Sequence, residues 1–340
     1  MDVTHPGQQT LVVAIEDASQ VGQARREASQ AAVVAGFDET DAARVALVTT
    51  ELATNVFRHA GRGEIHINVV PGNGARGVEV IGVDRGPGFD MAQCMPDGYS
   101  TAGSRGEGLG AIQRQADVLD LHADHRGAVV LARMYPRGFA RADIRFGASQ
   151  QRLHDETVCG DGWAMALRDD RISVLLVDGL GHGFAANDAA QACVAAWCAD
   201  PYAESIGLMA SLNDAMTGTR GGAVALASFD RPGGALRYVG IGNISGSLQT
   251  AEQSRGLASH PGIVGAKARA AQAFDFPDST GKLLVMFSDG LQSRWNLRDY
   301  PGLLFRHPSV ITSVLHRDFC RGRDDVTVFA IRLEASHDRR

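Results

Sequence analysis

The chain lacks most of the features that mark specialised protein classes. Its five cysteines, Cys94, Cys159, Cys193, Cys198 and Cys320, are odd in number and include no Cys-x-x-Cys pair. That argues against a disulfide framework or a thiolate zinc site and for reduced thiols. No stretch approaches about 18 uninterrupted apolar residues, so no spanning helix is expected. Met1 to Thr10 is polar and has no apolar signal core, which makes a cytoplasmic location the expectation. There is no basic excess either. Lys and Arg number 33 against 39 Asp and Glu, for a net charge of −6, and the basic residues are spread along the chain. Nothing here provides an electrostatic footprint for nucleic acid or an anionic membrane. Internal repeats, low-complexity tracts and long heptad runs are also missing, and the last leaves the oligomeric state open.

What is present suits an ordinary globular protein of two domains. The chain has 340 residues, 44% of them hydrophobic, and each half is long enough to bury a core of its own. Leu11–Ile15 reads as a strand, Ser19–Ala35 as a helix ended by Gly36, and Asp38 as the cap of a second helix with apolar residues at Val45, Val48, Leu52 and Val56. Strands over 65–70 and 78–83 follow, then a glycine-rich loop, a helix over about 109–119 and a strand over 128–134. The second half reads as strands over 157–167 and 172–177, two alanine-rich helices over 185–199 and 204–216, and strands over 223–229, 236–241, 283–287 and 326–333. These patterns predict an α+β protein. The expected divisions are residues 1–136, a junction over 137–152, and residues 153–335.

Two groups of residues carry chemistry. In the first, Glu51 and Asn55 lie four apart on one face of a helix. An amide oxygen can ligate a hard cation, and a carboxylate can take a proton from an attacking hydroxyl. Asp84 ends an apolar strand and opens the turn Asp84-Arg85-Gly86-Pro87-Gly88, where a carboxylate can accept from an exocyclic amine. Gly106, Gly108 and Gly110 precede a helix whose free N–H groups make a phosphate cradle. Each piece alone is a solvated helix face or a tight turn; in this order they suit an ATP pocket. In the second group, Asp161, Asp178 and Asp289 sit at predicted strand ends or in adjoining turns, and Asp324-Asp325 opens the last strand. Hard oxygens of this kind suit Mg²⁺ or Mn²⁺, and two such ions can generate a hydroxide that attacks phosphorus. The Gly179 carbonyl can face such a metal. Taken one by one, these Asp-Gly pairs are turns.

The first group resembles the GHKL ATPase family. More narrowly, Glu51-Leu52-Ala53-Thr54-Asn55, Ala60-Gly61 and Asp97-Gly98-Tyr99-Ser100-Thr101 resemble the serine kinases and anti-sigma factors of bacterial partner-switching systems, among them the switch kinases of the stressosome. The resemblance implies a Bergerat-type α/β sandwich, with Glu51 as general base, Asn55 as magnesium ligand and Asp84 as adenine partner. It also implies that Gly86, Gly88, Gly106, Gly108 and Gly110 are nucleotide-loop positions. The lid is short and no phospho-accepting histidine module is present. Arg105 is either a γ-phosphate contact or a solvated loop residue.

The second group resembles the SpoIIE-type branch of the metal-dependent (PPM) protein phosphatases. The resemblance rests on Gly160-Asp161, Asp178-Gly179-Leu180-Gly181-His182-Gly183, Phe287-Ser288-Asp289-Gly290 and Arg323-Asp324-Asp325-Val326-Thr327-Val328. It implies an α-β-β-α sandwich in which Asp178 bridges two metals, Asp289 and Asp324 bind one of them, and Asp161 supports the site. His182 is either a general acid or a turn residue. His122 and His125 are expected on the surface at a helix end, and Cys193 and Cys198 in the core of an alanine-rich helix. Together the two resemblances imply a bifunctional regulator. Its N-terminal domain would phosphorylate Ser or Thr on a small STAS-domain antagonist, and its C-terminal domain would hydrolyse the phosphoester. The alternative is an ATP-binding module that docks a sigma factor or a partner phosphatase, with the phosphatase half alone catalytic.

Overall fold

The computed structural model describes residues 2–89, 108–139, 142–266 and 271–335. It divides into two compact units. One comprises Thr10–Ile144 with Phe305–Val314; the other comprises Met1–Gln9, Arg145–Leu304 and Leu315–Arg340. No helix among the described residues is long and apolar enough to cross a membrane.

The N-terminal unit is an antiparallel five-stranded sheet in the order Leu11–Ile15, Gly63–Val70, Gly77–Asp84, Gly127–Met134, Val118–Asp124. Helices Ala18–Ala35 and Glu39–Asn55 supply Ala24, Ala28, Val45, Val48 and Leu52 to a core shared with Ile65, Ile67, Val78 and Val80 from the sheet. Asp17 caps the first helix by accepting from the Ser19 N–H. Gly36 ends it at φ 87°, a left-handed conformation that favours glycine. Asp38 caps the second helix through the Asp41 N–H. That helix runs straight into a π-helical turn, Val56–Ala60, which stops at Gly61.

On the sheet's other face lies a buried polar cluster. Arg133, fully enclosed, donates to Glu79 at 2.7 Å, to Asp143 at 2.9 Å and to Ser309 Oγ at 2.7 Å. The Ser309 hydroxyl donates on to Glu79, so Phe305–Val314, far along the chain, is built into this unit.

Three expectations change here. The helix expected to reach Leu119 stops at Gln115, and Val118–Asp124 is an edge strand. Its side chains alternate. Leu119 packs with the helix-side core, while Asp120 accepts from the His307 N–H on the opposite side. His122 is therefore buried on that strand, 3.7 Å from Asp124, and does not lie on the surface at a helix end. The polar N-terminus also contains a strand, Val3–Pro6, which pairs with Asp161–Leu167 and puts His5 against the ring of Trp163.

The C-terminal unit packs two antiparallel sheets. One has six strands in the order Val3–Pro6, Asp161–Leu167, Arg171–Gly179, Gly222–Asp230, Ala235–Ile241, Phe274–Phe276. The other has five in the order Ser254–Leu257, Ser245–Gln249, Leu283–Phe287, Val326–Arg332, Phe146–Gln151. Trp163 from the first sheet meets Phe146 and Phe329 from the second. Helices Phe184–Ala199 and Ser205–Met216 bury Cys193, Trp197 and Leu212 against Leu175 and Val177 of the six-stranded sheet. The fold is thus α+β, an α/β sandwich followed by a sandwich of two sheets with helices outside. The expected junction 137–152 contains a whole strand, Phe146–Gln151, held by Val326–Arg332.

Candidate functional site

Among the described residues each unit carries one candidate site. In the N-terminal unit Glu51 and Asn55 end the second helix, half-buried. Val56, the next residue, lies over Gly63 and Gly82, so the helix end sits above the sheet two residues short of Asp84. Gly108 opens the helix Gly108–Gln115. A Cβ there would lie 3.3 Å from both Asn55 Oδ1 and Glu51 Oε2, a tight fit that a hydrogen avoids. Gly110 is buried in the same helix.

Asp84 Oδ1 accepts from the Gly86 N–H at 2.8 Å and the Ala128 N–H at 3.2 Å. Gly86 lies close against Ala60, and Gly88, at φ 69°, is wedged against the Asp124 carbonyl. Helix end, strand end and glycine turn therefore gather at one end of the sheet's strands. Gly106, Arg105 and Asp97–Thr101 lie outside the described residues.

In the C-terminal unit Asp161 and Asp178 are cross-strand partners. Asp161 is 1% exposed and accepts from the Ser288 hydroxyl at 2.7 Å. Burial pushes its carboxyl up to about 7, against the Ser288 and Thr327 hydrogen bonds, and Asp325 and Asp324 add to the rise. Asp178 is pushed up to about 9, first by burial and then by the charges of Asp161, Asp289, Asp324 and Asp325. Asp324 is also raised, chiefly by burial, while nearby His182 pulls it down.

The neighbouring acid, Asp325, plays a different part. Its two oxygens accept from the N–H groups of Leu153 and Gly160, at 2.8 and 2.7 Å, and it is buried. That leaves the half-buried Asp324 as the freer of the pair. Gly179 is closed in by the Ala186 carbonyl, and its N–H donates to the Gly160 carbonyl at 3.0 Å. Asp289 is exposed and accepts from the Asn243 amide at 2.7 Å. His182 is exposed and pairs with Glu156.

Among the described residues no three His, Cys, Asp or Glu side chains already stand in a grouping that holds a metal ion. The donor chemistry nevertheless fits a hard divalent cation, since the set around Asp178 is all oxygen and carries excess negative charge.

Sequence reasoning had no signal for Asn243, which lies in a turn between strands, or for Glu156. Ser288 was within a quoted motif, yet its bond to Asp161 depends on two strands from different sheets.

Residues 15–134 match the model of the histidine kinase-like ATPase domain. Over 89 residues the chain is 39% identical to the serine/threonine-protein kinase RsbT of Bacillus subtilis (strain 168), covering 26% of this chain and 67% of that one. The chain belongs to the histidine kinase-like ATPase family. In this member the family match takes in Glu51, Asn55, Asp84 and the described glycines of the site just described. Among solved structures, one from work on the bacterial stressosome, a modular system adapted to control secondary messenger signaling, superposes with a TM-score of 0.52 at 24% identity, over 55% of this chain and 98% of that one. RsbX in complex with magnesium gives a TM-score of 0.48 at 21% identity, over 54% of this chain and 92% of that one.

Proposed function

We propose that the chain is a bifunctional partner-switching regulator. The N-terminal unit transfers phosphate from ATP to Ser or Thr of a small STAS-domain antagonist, and the C-terminal unit hydrolyses phosphoserine or phosphothreonine. The observation that carries this reading is the gathering of acidic side chains around Asp178 in a chain whose other unit seats Gly108 between Glu51 and Asn55. In the ATPase unit Glu51 acts as general base on the acceptor hydroxyl, Asn55 holds the magnesium that accompanies ATP, and Asp84 takes the adenine amine. Gly86, Gly88, Gly106, Gly108 and Gly110 let the backbone approach the nucleotide. In the phosphatase unit Asp178, Asp289, Asp324 and the Gly179 carbonyl hold Mg²⁺ or Mn²⁺, with Asp161 fixed behind them by Ser288. When bound, such ions activate water toward phosphorus. Asn243 orients Asp289, and Asp325 fixes the strand entry that carries Asp324.

The test is to incubate the protein with ATP and a candidate STAS protein, and to follow phosphorylation on a phosphate-affinity gel. Transfer is expected with Asp178→Ala and lost with Glu51→Ala, whereas removal of phosphate shows the reverse pattern. Tight nucleotide binding with no transfer would leave a docking role for the N-terminal unit.

A further inference from the structure

Gln292, Ser293, Arg294, Arg321 and Arg323 line a cavity of about 340 Å³ in the C-terminal unit. All five are exposed and none is apolar. They lie on two segments that are tied together. Leu291 and Cys320 form an antiparallel bridge, the Gln292 N–H donates to the Phe319 carbonyl at 2.9 Å, and the Arg321 N–H donates to the Gly290 carbonyl at 2.9 Å. One segment leaves Asp289 and the other leads into Asp324, with Arg323 immediately before it. The cavity is thus anchored at both ends to the acidic site. Among the described residues no acidic side chain pairs with Arg294, Arg321 or Arg323, and the single side-chain bond of Arg321 is a long one, 3.4 Å to the Leu291 carbonyl.

The charges explain why such a cavity is useful. Asp178 feels the charges of Asp161, Asp289, Asp324 and Asp325, so an anion approaching this acidic site gains from cations placed along its path. A phosphoserine carries about −1.5 to −2 charges at pH 7, and carboxylates flanking it in a substrate would be drawn to the same cations. Three guanidiniums on the segments that adjoin Asp289 and Asp324 add positive charge on that side. Their planar forks also match phosphate and carboxylate oxygens two at a time.

We propose that this arginine-lined cavity receives the oxyanion groups of the phosphorylated substrate, either the phosphoryl group itself or the acidic side chains around it. The proposal rests on the phosphatase reading of the neighbouring site.

The experiment uses the full chain and the variants Arg294→Gln, Arg321→Gln and Arg323→Gln, singly and combined, with Arg323→Lys as a charge-retaining control. Hydrolysis is measured with Mn²⁺ on p-nitrophenyl phosphate, on a phosphoserine peptide rich in Asp and Glu, and on the same peptide with those acids replaced by Gln. Binding of the labelled acidic phosphopeptide is followed by anisotropy in EDTA. For the triple variant KM for the acidic peptide is expected to rise about tenfold, more than kcat falls, and its Kd is expected to rise in step. The effect should shrink at high salt, and Arg323→Lys should lose less than Arg323→Gln. A KM increase for all three substrates assigns the cavity to the phosphoryl group; an increase confined to the acidic peptide assigns it to the flanking acids. Unchanged KM and Kd in a triple variant that melts like the parent overturn the proposal. If the parent chain hydrolyses none of the probes, the phosphatase reading fails, and the anisotropy comparison still decides the cavity.

Discussion

Asp161 and Asp178 stand directly opposite each other on the antiparallel strands Asp161–Leu167 and Arg171–Gly179, so both carboxyls project from the same face of one sheet. The folded chain holds them as acids far more weakly ionised than free aspartate, at about 7 and about 9.

Metal-free protein should therefore lose stability as pH rises. In the unfolded chain both groups ionise near 3.8. Between there and about 9 the native state keeps protons that the unfolded state releases, which favours unfolding as pH increases. All three tryptophans, Trp163, Trp197 and Trp295, lie in the C-terminal unit, so their fluorescence reports its melting. In EDTA the midpoint is expected to fall from pH 6 to pH 8.5, to fall less with Mg²⁺ or Mn²⁺ present, and to flatten in Asp178→Asn. A level profile in EDTA would count against the charge arrangement.

The nucleotide site makes a steric prediction. Any side chain at Gly108 meets Asn55 and Glu51 at 3.3 Å. Gly108→Val should weaken binding of a fluorescent ATP analogue by more than tenfold, whereas Glu51→Gln should keep binding and lose phosphotransfer. Equal losses of binding in both variants would contradict the division of roles.

Asp324 and Asp325, though adjacent, should respond differently to substitution. Asp325→Ala strips buried acceptors from the Leu153 and Gly160 N–H groups, at a cost of about 1–3 kcal/mol for each group left unsatisfied. It should lower the tryptophan melting midpoint. Asp324→Asn should abolish Mn²⁺-dependent hydrolysis and leave the EDTA midpoint unchanged or slightly raised. The pair of measurements separates a supporting carboxylate from a ligating one.

Arg133 is the corresponding keystone of the N-terminal unit. Arg133→Met leaves Glu79, 1% exposed, without its cation, and breaking such a pair costs about 3–5 kcal/mol. Adding Glu79→Gln should restore part of the loss, since the lone buried charge is then gone. Urea unfolding followed by circular dichroism checks both. A single variant as stable as the parent would show that the cluster contributes little.

Much of this was legible in the chain. Asp38 as a helix cap and Gly36 as a helix stop are local signals, and each appears where its chemistry requires it. The acids at strand ends were readable because an Asp-Gly step after an apolar run marks where a strand leaves its sheet. Elements set by distant partners were not readable. Val118–Asp124 looks helical in isolation and becomes a strand because Gly127–Met134 offers it an edge. Val3–Pro6 has no strand signature beyond its pairing with Asp161–Leu167. The first turn of the helix Pro308–Phe319 carries Ser309, whose purpose is visible only beside Arg133 and Glu79.

The ends of the two units are exchanged along the polypeptide. Val3–Pro6 completes a sheet of the C-terminal unit, and Phe305–Val314 completes the polar cluster of the N-terminal one. Scissors applied anywhere between residues 137 and 152 would therefore yield two incomplete fragments, one missing a border strand and the other carrying a cation and a carboxylate stripped of a shared hydroxyl. A cut at that junction is therefore expected to destabilise both halves.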